Sequence, residues 1–535
     1  MFERSTPTAL LDSWAVTQPD RLLVACGGQE RSYRRMVEVS ERLAGGLRKV
    51  GVSPGDRVAF LTGSRIEMID FIFGCARAGV IEVPLNTFLR GEFLLHQLRD
   101  CGATGIVVDG PGLATITPLL ADLPDLRFVV ALDDETASES DLAPGVRLLG
   151  FGHLRDAEPP PEGYTATPDD VLALMYTSGT TGLPKGCILT HGYFVHAGHV
   201  MRTGWEFRHE DTMITAFPLF HLSGQANALM STLTGGLSLY VETAFSASGF
   251  MPRAREVGAT VTMGVGAMAL AISAQPESAD DASHPLRFAS WIPLPESVQH
   301  ALERRFNLVV SSEAYGQTEC APVCISPPSS PRKRETCGAP APGLEVRIVD
   351  GADVEVPRGE VGEIVVRPLE PDSLFSGYWN NPAATVEAFR NLWHHTGDTG
   401  RMDAEGFITF VDRKKDAMRR RGENVSSLQV EAAIGKHPGI AEVAVHAVPS
   451  PATEDDIKAC IVPAAGADLT PEALFEFFRE QLPFFAVPRY VELVEALPKN
   501  AMNRVLKHEL RARGVTDSTW DLEAMGLTVA AGDRR

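Results

Sequence analysis

The chain has 535 residues, 44% of them hydrophobic and 22% charged, with a formal net charge of −20. That length exceeds what one hydrophobic core serves, so at least two domains are expected. The acidic balance argues against general binding of nucleic acid or an anionic membrane, which would be repelled at long range, but it leaves room for a local basic site.

The first residues, MFERSTPTALLDSW, carry acidic side chains and no apolar leader segment, the pattern expected of a cytoplasmic protein. Met36, Val39, Leu43, Leu47 and Val50 recur at helical spacing and stop at Gly51. Arg57 to Leu61 predicts a strand, Met68 to Ala78 a helix and Ile81 to Leu85 a strand. Phe93 to Leu98 predicts a helix and Gly105 to Val108 another strand. This alternation implies β-α-β units, hence an α/β fold with mainly parallel sheets. From Asp133 to Pro168 the periodicity fades into acidic, Pro and Gly residues, which read as a surface connection.

Val171 to Met175 then predicts a strand that delivers the run YTSGTTGLPKG, Tyr176 to Gly186. Thr177, Ser178, Thr180 and Thr181 supply hydroxyls, Gly179, Gly182 and Gly186 let backbone amides approach an anion, and Lys185 brings a positive charge. These groups make a phosphate cradle. The run is not the P-loop pattern, because Lys185 stands between Pro184 and Gly186.

Gly258 to Gln275 is uncharged but short and rich in Gly, Thr and Ala, so it predicts a buried strand and helix rather than a membrane span. The eight cysteines show no C-x-x-C pairing. Cys320 and Cys324, read as a helical or loop pair, make a poor metal site, and free thiols are expected.

Near Asp412 the composition shifts, with six basic residues in the nine positions from Arg413 to Arg421. Alternating Val and Ala from Ile440 to Val448, a helix from Pro471 to Gln481 and a strand near Tyr490 to Val494 predict a small α+β unit. The expected division is a large α/β body, residues 1–412, and a small mobile domain, residues 413–535, with a hinge at about 412–416.

Four segments supply chemistry that fits a phosphate loop. EAYGQTEC, Glu313 to Cys320, offers an aromatic face at Tyr315, a hydroxyl at Thr318 and a carboxylate at Glu319, the groups needed to stack a purine, touch a phosphate and hold Mg²⁺. HHTGDTGRMDAEGF sets Asp398 in a Gly-flanked turn, where a carboxylate can accept both ribose hydroxyls. PLFHLSGQ, Pro218 to Gln225, places Phe220, His221 and Gln225 among small residues, as the wall of an acid pocket requires. The basic run near Arg413 offers further contacts to ribose or phosphate.

Together these motifs closely resemble the adenylate-forming superfamily of acyl- and aryl-CoA synthetases, luciferases and peptide-synthetase adenylation domains, over nearly the whole chain and in the same order. RRRGENV and KHELRARGVTDSTWD look most like the branch of carnitine/crotonobetaine- and fatty-acid-CoA ligases. The resemblance implies an AMP-forming ligase that uses ATP and Mg²⁺. Thr177, Ser178, Gly179, Thr180, Thr181 and Lys185 would hold phosphates. Tyr315 and Gly316 would sit at adenine, Thr318 at the α-phosphate, Glu319 at Mg²⁺, and Asp398 and Arg413 at ribose. His221 would gate the acid pocket, Lys415 would act as the hinge, and Gly422 would leave room for the pantetheine arm of CoA. Lys185, His221, Glu319 and the residue at 504 form the implied catalytic set.

The match departs in two places. The family's C-terminal pattern, LPKTxTGKVLK, reads here LPKNAMNRVLK, so Asn503 replaces glycine and Arg504 stands where the catalytic lysine is expected. Arg is planar and bulkier than Lys, and losing the glycine is expected to change the turn that carries it. The small-residue form GGAPLP reads SWIPLP, so Trp291 and Ile292 are expected to shorten the acid pocket. The expected substrate is therefore a small or aromatic acid, and the expected acceptor is CoA, narrowly over an amine. The alternatives are a ligase of secondary metabolism that forms amides or diazotises an arylamine with ATP and nitrite, or a nucleotide-binding homologue without turnover. Oligomeric state is not legible.

Overall fold

The computed structural model describes residues 3–529 apart from 88, 90, 134–141, 161, 178–183, 414–416, 421–422, 451–454, 483–485 and 501–502. Two seven-stranded sheets dominate it. The first runs in the order Arg147–Gly150, Phe128–Ala131, Gly105–Val108, Arg57–Leu61, Ile81–Pro84, Val171–Thr177, Lys185–Thr190, and only its last pair is antiparallel. The second runs Val309–Ser311, Phe288–Ile292, Val261–Val265, Thr212–Thr215, Ser238–Val241, Leu22–Cys26, Gln29–Ser32, again with one antiparallel pair at the end. The α/β expectation therefore holds.

The helices between strands follow from local sequence. Tyr33–Lys49 is capped by the Ser32 hydroxyl, which accepts from the Arg35 N–H at 3.2 Å, and it buries Met36, Val39, Leu43 and Leu47 on one face. The helix Ile66–Ala78 packs against it, and Gly74 permits the approach: a Cβ there would lie 2.8 Å from Leu43 Cβ. The largest core joins these helices to the inner faces of both sheets, with Phe60 and Val107 from the first and Val24, Met213 and Leu239 from the second. Separate cores back the outer face of each sheet.

Two local expectations are corrected. The stretch read as a surface connection contains an edge strand, Arg147–Gly150, whose half-exposed side chains carry no alternating signal. Cys320 and Cys324 lie on one strand, Cys320–Ile325, and not on a helix or loop. All eight thiols are free and all but Cys337 are buried.

Beyond the two sheets, an antiparallel sheet orders Leu344–Val349, Gly362–Pro368, His394–Met402 and Ile408–Arg413. The smaller C-terminal domain is built on Ile440–Pro449, Asp455–Pro463, Tyr490–Leu493 and Trp520–Asp521. The last residue of the main body core is Ile408 and the first of the C-terminal core is Met418. Among the described residues no helix is long and apolar enough to cross a membrane.

Candidate active site

The strands Val171–Thr177 and Lys185–Thr190 pair antiparallel with Thr177 opposite Lys185 and Tyr176 opposite Gly186, so the ladder closes both ends of the phosphate run. Ser178, Gly179, Thr180 and Thr181 fall outside the described residues. A distant segment completes the frame. Residues 375–379 lie along Lys185–Thr190 through Ser376 N–H to Ile188 O, Ile188 N–H to Gly377 O and Trp379 N–H to Gly186 O, at 2.8–2.9 Å. The Trp379 indole N–H donates to Asp100 O at 3.1 Å, and the Tyr176 hydroxyl donates to the Asp100 carboxylate at 2.6 Å. Gly186 suits this packing, since a Cβ there would sit a tight 3.2 Å from Tyr176 Cζ.

This segment brings Lys185 and Glu319 together through a residue that sequence reasoning missed. Lys185 Nζ lies 4.1 Å from the ring centroid of Tyr378, and the Tyr378 hydroxyl donates to Glu319 Oε1 at 2.8 Å. The Phe375 N–H donates to Glu319 O at 2.9 Å. Glu319 is 9% exposed and, among the described residues, no Lys or Arg forms an ion pair with it. Burial and the neighbouring Glu319 charge push the Tyr378 phenol above its ordinary pKa, so it stays a donor. The only sequence signal for Tyr378 was its place in SGYWNNP, an aromatic pair in a turn-rich stretch.

Hydrogen bonds also join the purine and ribose candidates. The Tyr315 hydroxyl donates to Asp398 Oδ2 at 2.5 Å, and Gln317 Nε2 donates to the same oxygen at 2.7 Å and to Thr396 O at 2.8 Å. Gln317 was visible inside EAYGQTEC but went unremarked. Asp398 is 1% exposed and stands opposite Arg413 in the ladder, although the Arg413 side chain is not described. Gly316 is exposed beside them, and Thr318 is half-buried with its carbonyl accepting from the Tyr193 hydroxyl at 2.9 Å.

On the acid side, Phe220 and His221 are half-buried. His221 Nδ1 accepts from the Ser223 N–H at 3.1 Å and faces the Ser223 hydroxyl at 3.0 Å, so the neutral ring carries its proton on Nε2. Burial lowers its pKa to about 4. A π-helix, Ser223–Met230, follows, a widened turn common at functional sites. Its half-exposed positions are Ser223 and Asn227.

Two pocket expectations are corrected here. Gln225 is fully buried nearly half a turn from Ser223, and its amide donates to Leu219 O at 2.9 Å. Its polar neighbour is Glu82, a buried carboxyl whose pKa burial raises to about 8. Trp291 packs into the outer core with Ala289, Leu294 and Leu302. Strand alternation instead turns Ile292 toward the inner core, where Phe220 and Tyr315 also pack. Ile292, and not Trp291, is the bulky side chain on that face.

In the C-terminal domain, Asn503 adopts φ 59°, the left-handed conformation that a glycine would take. The expectation that losing glycine changes the turn is corrected, because Asn tolerates this region. Arg504 is exposed on the same turn, which is closed by Asn500 N–H to Arg504 O at 2.8 Å and Arg504 N–H to Asn500 Oδ1 at 2.9 Å. Lys415 and Gly422 lie outside the described residues.

The donor set suits Mg²⁺. A hard cation that keeps waters and phosphate oxygens needs only one or two protein carboxylates, and Glu319 is partly buried, free of cationic partners among the described residues and one tyrosine away from Lys185.

Comparison with known proteins gives a consistent picture. The family described as AMP-binding enzyme matches residues 11–379, and the AMP-binding enzyme C-terminal domain matches residues 429–503. The chain is 33% identical to a feruloyl-CoA synthase of Amycolatopsis sp over 94% of its length and 99% of the relative's. It is 31% identical to a crotonobetaine/carnitine–CoA ligase of Salmonella arizonae over 91% of the chain and 94% of that protein. ATP-bound MatB from Rhodopseudomonas palustris superimposes with a TM-score of 0.83 at 27% identity, covering 95% of this chain and 99% of that one.

Proposed function

The chain belongs to the AMP-binding enzyme family and is an adenylate-forming ligase of the acyl- and aryl-CoA type, and on that premise we propose that it activates a small or aromatic carboxylic acid with ATP and passes it to CoA. The observation that carries the nucleotide half is the Lys185–Tyr378–Glu319 chain of contacts at the mouth of the phosphate run. Tyr315, Gln317 and Asp398 form a bonded unit suited to adenine and ribose. Support for the acid comes from Ile292 on the inner face of its strand and from neutral His221. The name of the feruloyl-CoA relative supports an aromatic acid and CoA.

In this reading the acid's carboxylate attacks the α-phosphorus in line, and pyrophosphate leaves. Lys185 meets charge developing on the departing oxygens, and Asp398 holds the ribose so that the α-phosphorus stays in line. Mg²⁺ bound at Glu319 would supply further neutralisation of phosphate charge. His221, uncharged at neutral pH, presents no cation that would capture the carboxylate in an unproductive pose. The C-terminal domain then turns about residues 412–416, replacing Arg504 at the site with the segment around Gly422 for transfer.

ATP–pyrophosphate exchange across a panel of acids tests the first half-reaction, and CoA-dependent AMP release tests the second. Exchange with aromatic acids is the expected result, and no exchange with any acid would overturn the reading. One feature favours a second acceptor: Arg504 at the position of the family's lysine. AMP release indifferent to CoA and stimulated by an arylamine, with or without nitrite, would replace CoA by an amine and leave the adenylating half standing.

A further inference from the structure

Resting on the adenylation reading, we propose that Tyr378 is a positioning residue and that residues 375–379 form a brace setting the separation between the phosphate-binding lysine and the metal-binding carboxylate. Three independent sets of contacts hold the brace. Its backbone is paired with the strand carrying Lys185, with Cys187 bridged to Tyr378 and Trp379 N–H bonded to Gly186 O. Its start is bonded to Glu319, through the Phe375 N–H to the carbonyl. Its side chain touches both: the ring face meets Lys185 Nζ at 4.1 Å and the hydroxyl meets Glu319 Oε1 at 2.8 Å.

The ring itself is immobilised. Phe375 packs edge-on at 4.9 Å between centroids, and the Tyr378 N–H donates to the Thr385 hydroxyl at 2.9 Å. Each half of the tyrosine has a separate task. The aromatic face accepts the ammonium without neutralising it, so Lys185 keeps its full charge for phosphate. The hydroxyl occupies one carboxylate oxygen and fixes the rotamer of Glu319, as an outer hydrogen bond orients a metal ligand.

Because the two tasks reside in different atoms, two substitutions separate them. Tyr378→Phe keeps the ring and removes the hydroxyl. Calorimetric titration of ATP at graded Mg²⁺ is expected to show half-maximal enhancement of binding at about tenfold higher Mg²⁺, with exchange at saturating Mg²⁺ within about threefold of the parent. Tyr378→Leu removes both groups, and its exchange at saturating Mg²⁺ is expected to fall at least about tenfold further. In a Glu319→Gln background, Tyr378→Phe is expected to add nothing, since the carboxylate it orients is gone.

An unchanged Mg²⁺ requirement in Tyr378→Phe overturns the proposal, as does an additive double variant. If Tyr378→Leu fails to fold, the Tyr378→Phe titration and the double variant decide alone. A parent that exchanges normally while Tyr378→Phe keeps the parent's Mg²⁺ requirement sinks the brace and spares the adenylation reading; a parent with no exchange sinks the reading itself.

Discussion

On the proposed nucleotide side of the site, Lys185, Tyr378 and Glu319 touch in sequence, and Tyr315, Gln317 and Asp398 share hydrogen bonds across two strands. On the proposed acid side, the His221 ring bonds, among the described residues, to its near neighbour Ser223, and Phe220, Asn227 and Ile292 are half-buried side chains on separate elements. The contrast follows from the ligands each side must meet. A nucleotide is the same in every turnover, so its partners repay fixed mutual bonds that pre-organise them. An acid pocket varies with the acid, and shape supplies most of its discrimination.

The sharpest way to break this comparison is on the nucleotide side. Lys185→Ala and Glu319→Gln are each expected to lower ATP-dependent exchange by at least about tenfold, and by up to about a hundredfold, because each removes a charge acting on phosphate in the transition state. Normal rates in folded protein would take both residues out of the site.

On the acid side the effect is smaller and lies in selectivity. Ile292→Ala is expected to shift the preference toward bulkier acids by about tenfold in kcat/KM, within the range set by a few methylenes in an apolar pocket. Trp291→Ala is expected instead to lower stability by about 3–5 kcal/mol while leaving the ranking of acids unchanged. A reversed pattern, read from an acid panel and thermal melts, would return Trp291 to the pocket.

Asp398→Asn comes next, with an expected rise of a few-fold in the KM for ATP and little change in kcat. Ribose is held alike in ground and transition states, and Asn keeps one acceptor for Tyr315 or Gln317. A defect confined to kcat would contradict that role.

The smallest expected effect is on stability as pH changes. Burial lowers His191, His221, His394 and His446 to about 4. Their unfolded pKa is about 6.5, so the unfolded chain binds more protons as pH falls through that window, and each histidine withdraws on the order of 1 kcal/mol between about pH 7.5 and 5.5. Glu82, raised to about 8, and Asp70, raised to about 6, act in the opposite sense because their protons are held in the folded state. Burial also lowers His199 to about 4, so five groups against two leave a net loss on acidification. A melting midpoint that rises on going from pH 7.5 to 5.5 would contradict this sum.

The same contrast explains what the sequence disclosed. Chemistry confined to a short run was legible: the polar loop before Lys185, the aromatic, hydroxyl and carboxylate of Tyr315 to Glu319, and Asp398 in its glycine-flanked turn all carry their meaning in neighbouring residues. Alternating helices and strands through Val108 were equally legible, since each carries its own period.

What depended on facing direction was not. Trp291 and Ile292 are adjacent in the chain, and only the sheet's two faces separate a residue of the outer core from one that faces the inner core. Gln225 was read as lining a cavity because a string of letters does not show that the helix after His221 is wound wide. Tyr378 escaped notice because its partners lie 193 and 59 positions away. The left-handed backbone at Asn503 shows the reverse error, a substitution that looks disruptive until the torsion angle is known.

Those sequence separations bear on how the protein is made. Lys185 emerges from the ribosome well before Phe375 to Trp379, so the strand that carries it lacks one hydrogen-bonded neighbour through the synthesis of nearly two hundred residues. Synthesis at about 5–20 residues per second makes that interval tens of seconds, ample time for an unsatisfied edge to find a wrong partner. Nascent chains halted before residue 375 should therefore be cut by protease near Lys185, and chains extended past Trp379 should resist, the late strap acting as the latch on a strand made long before it.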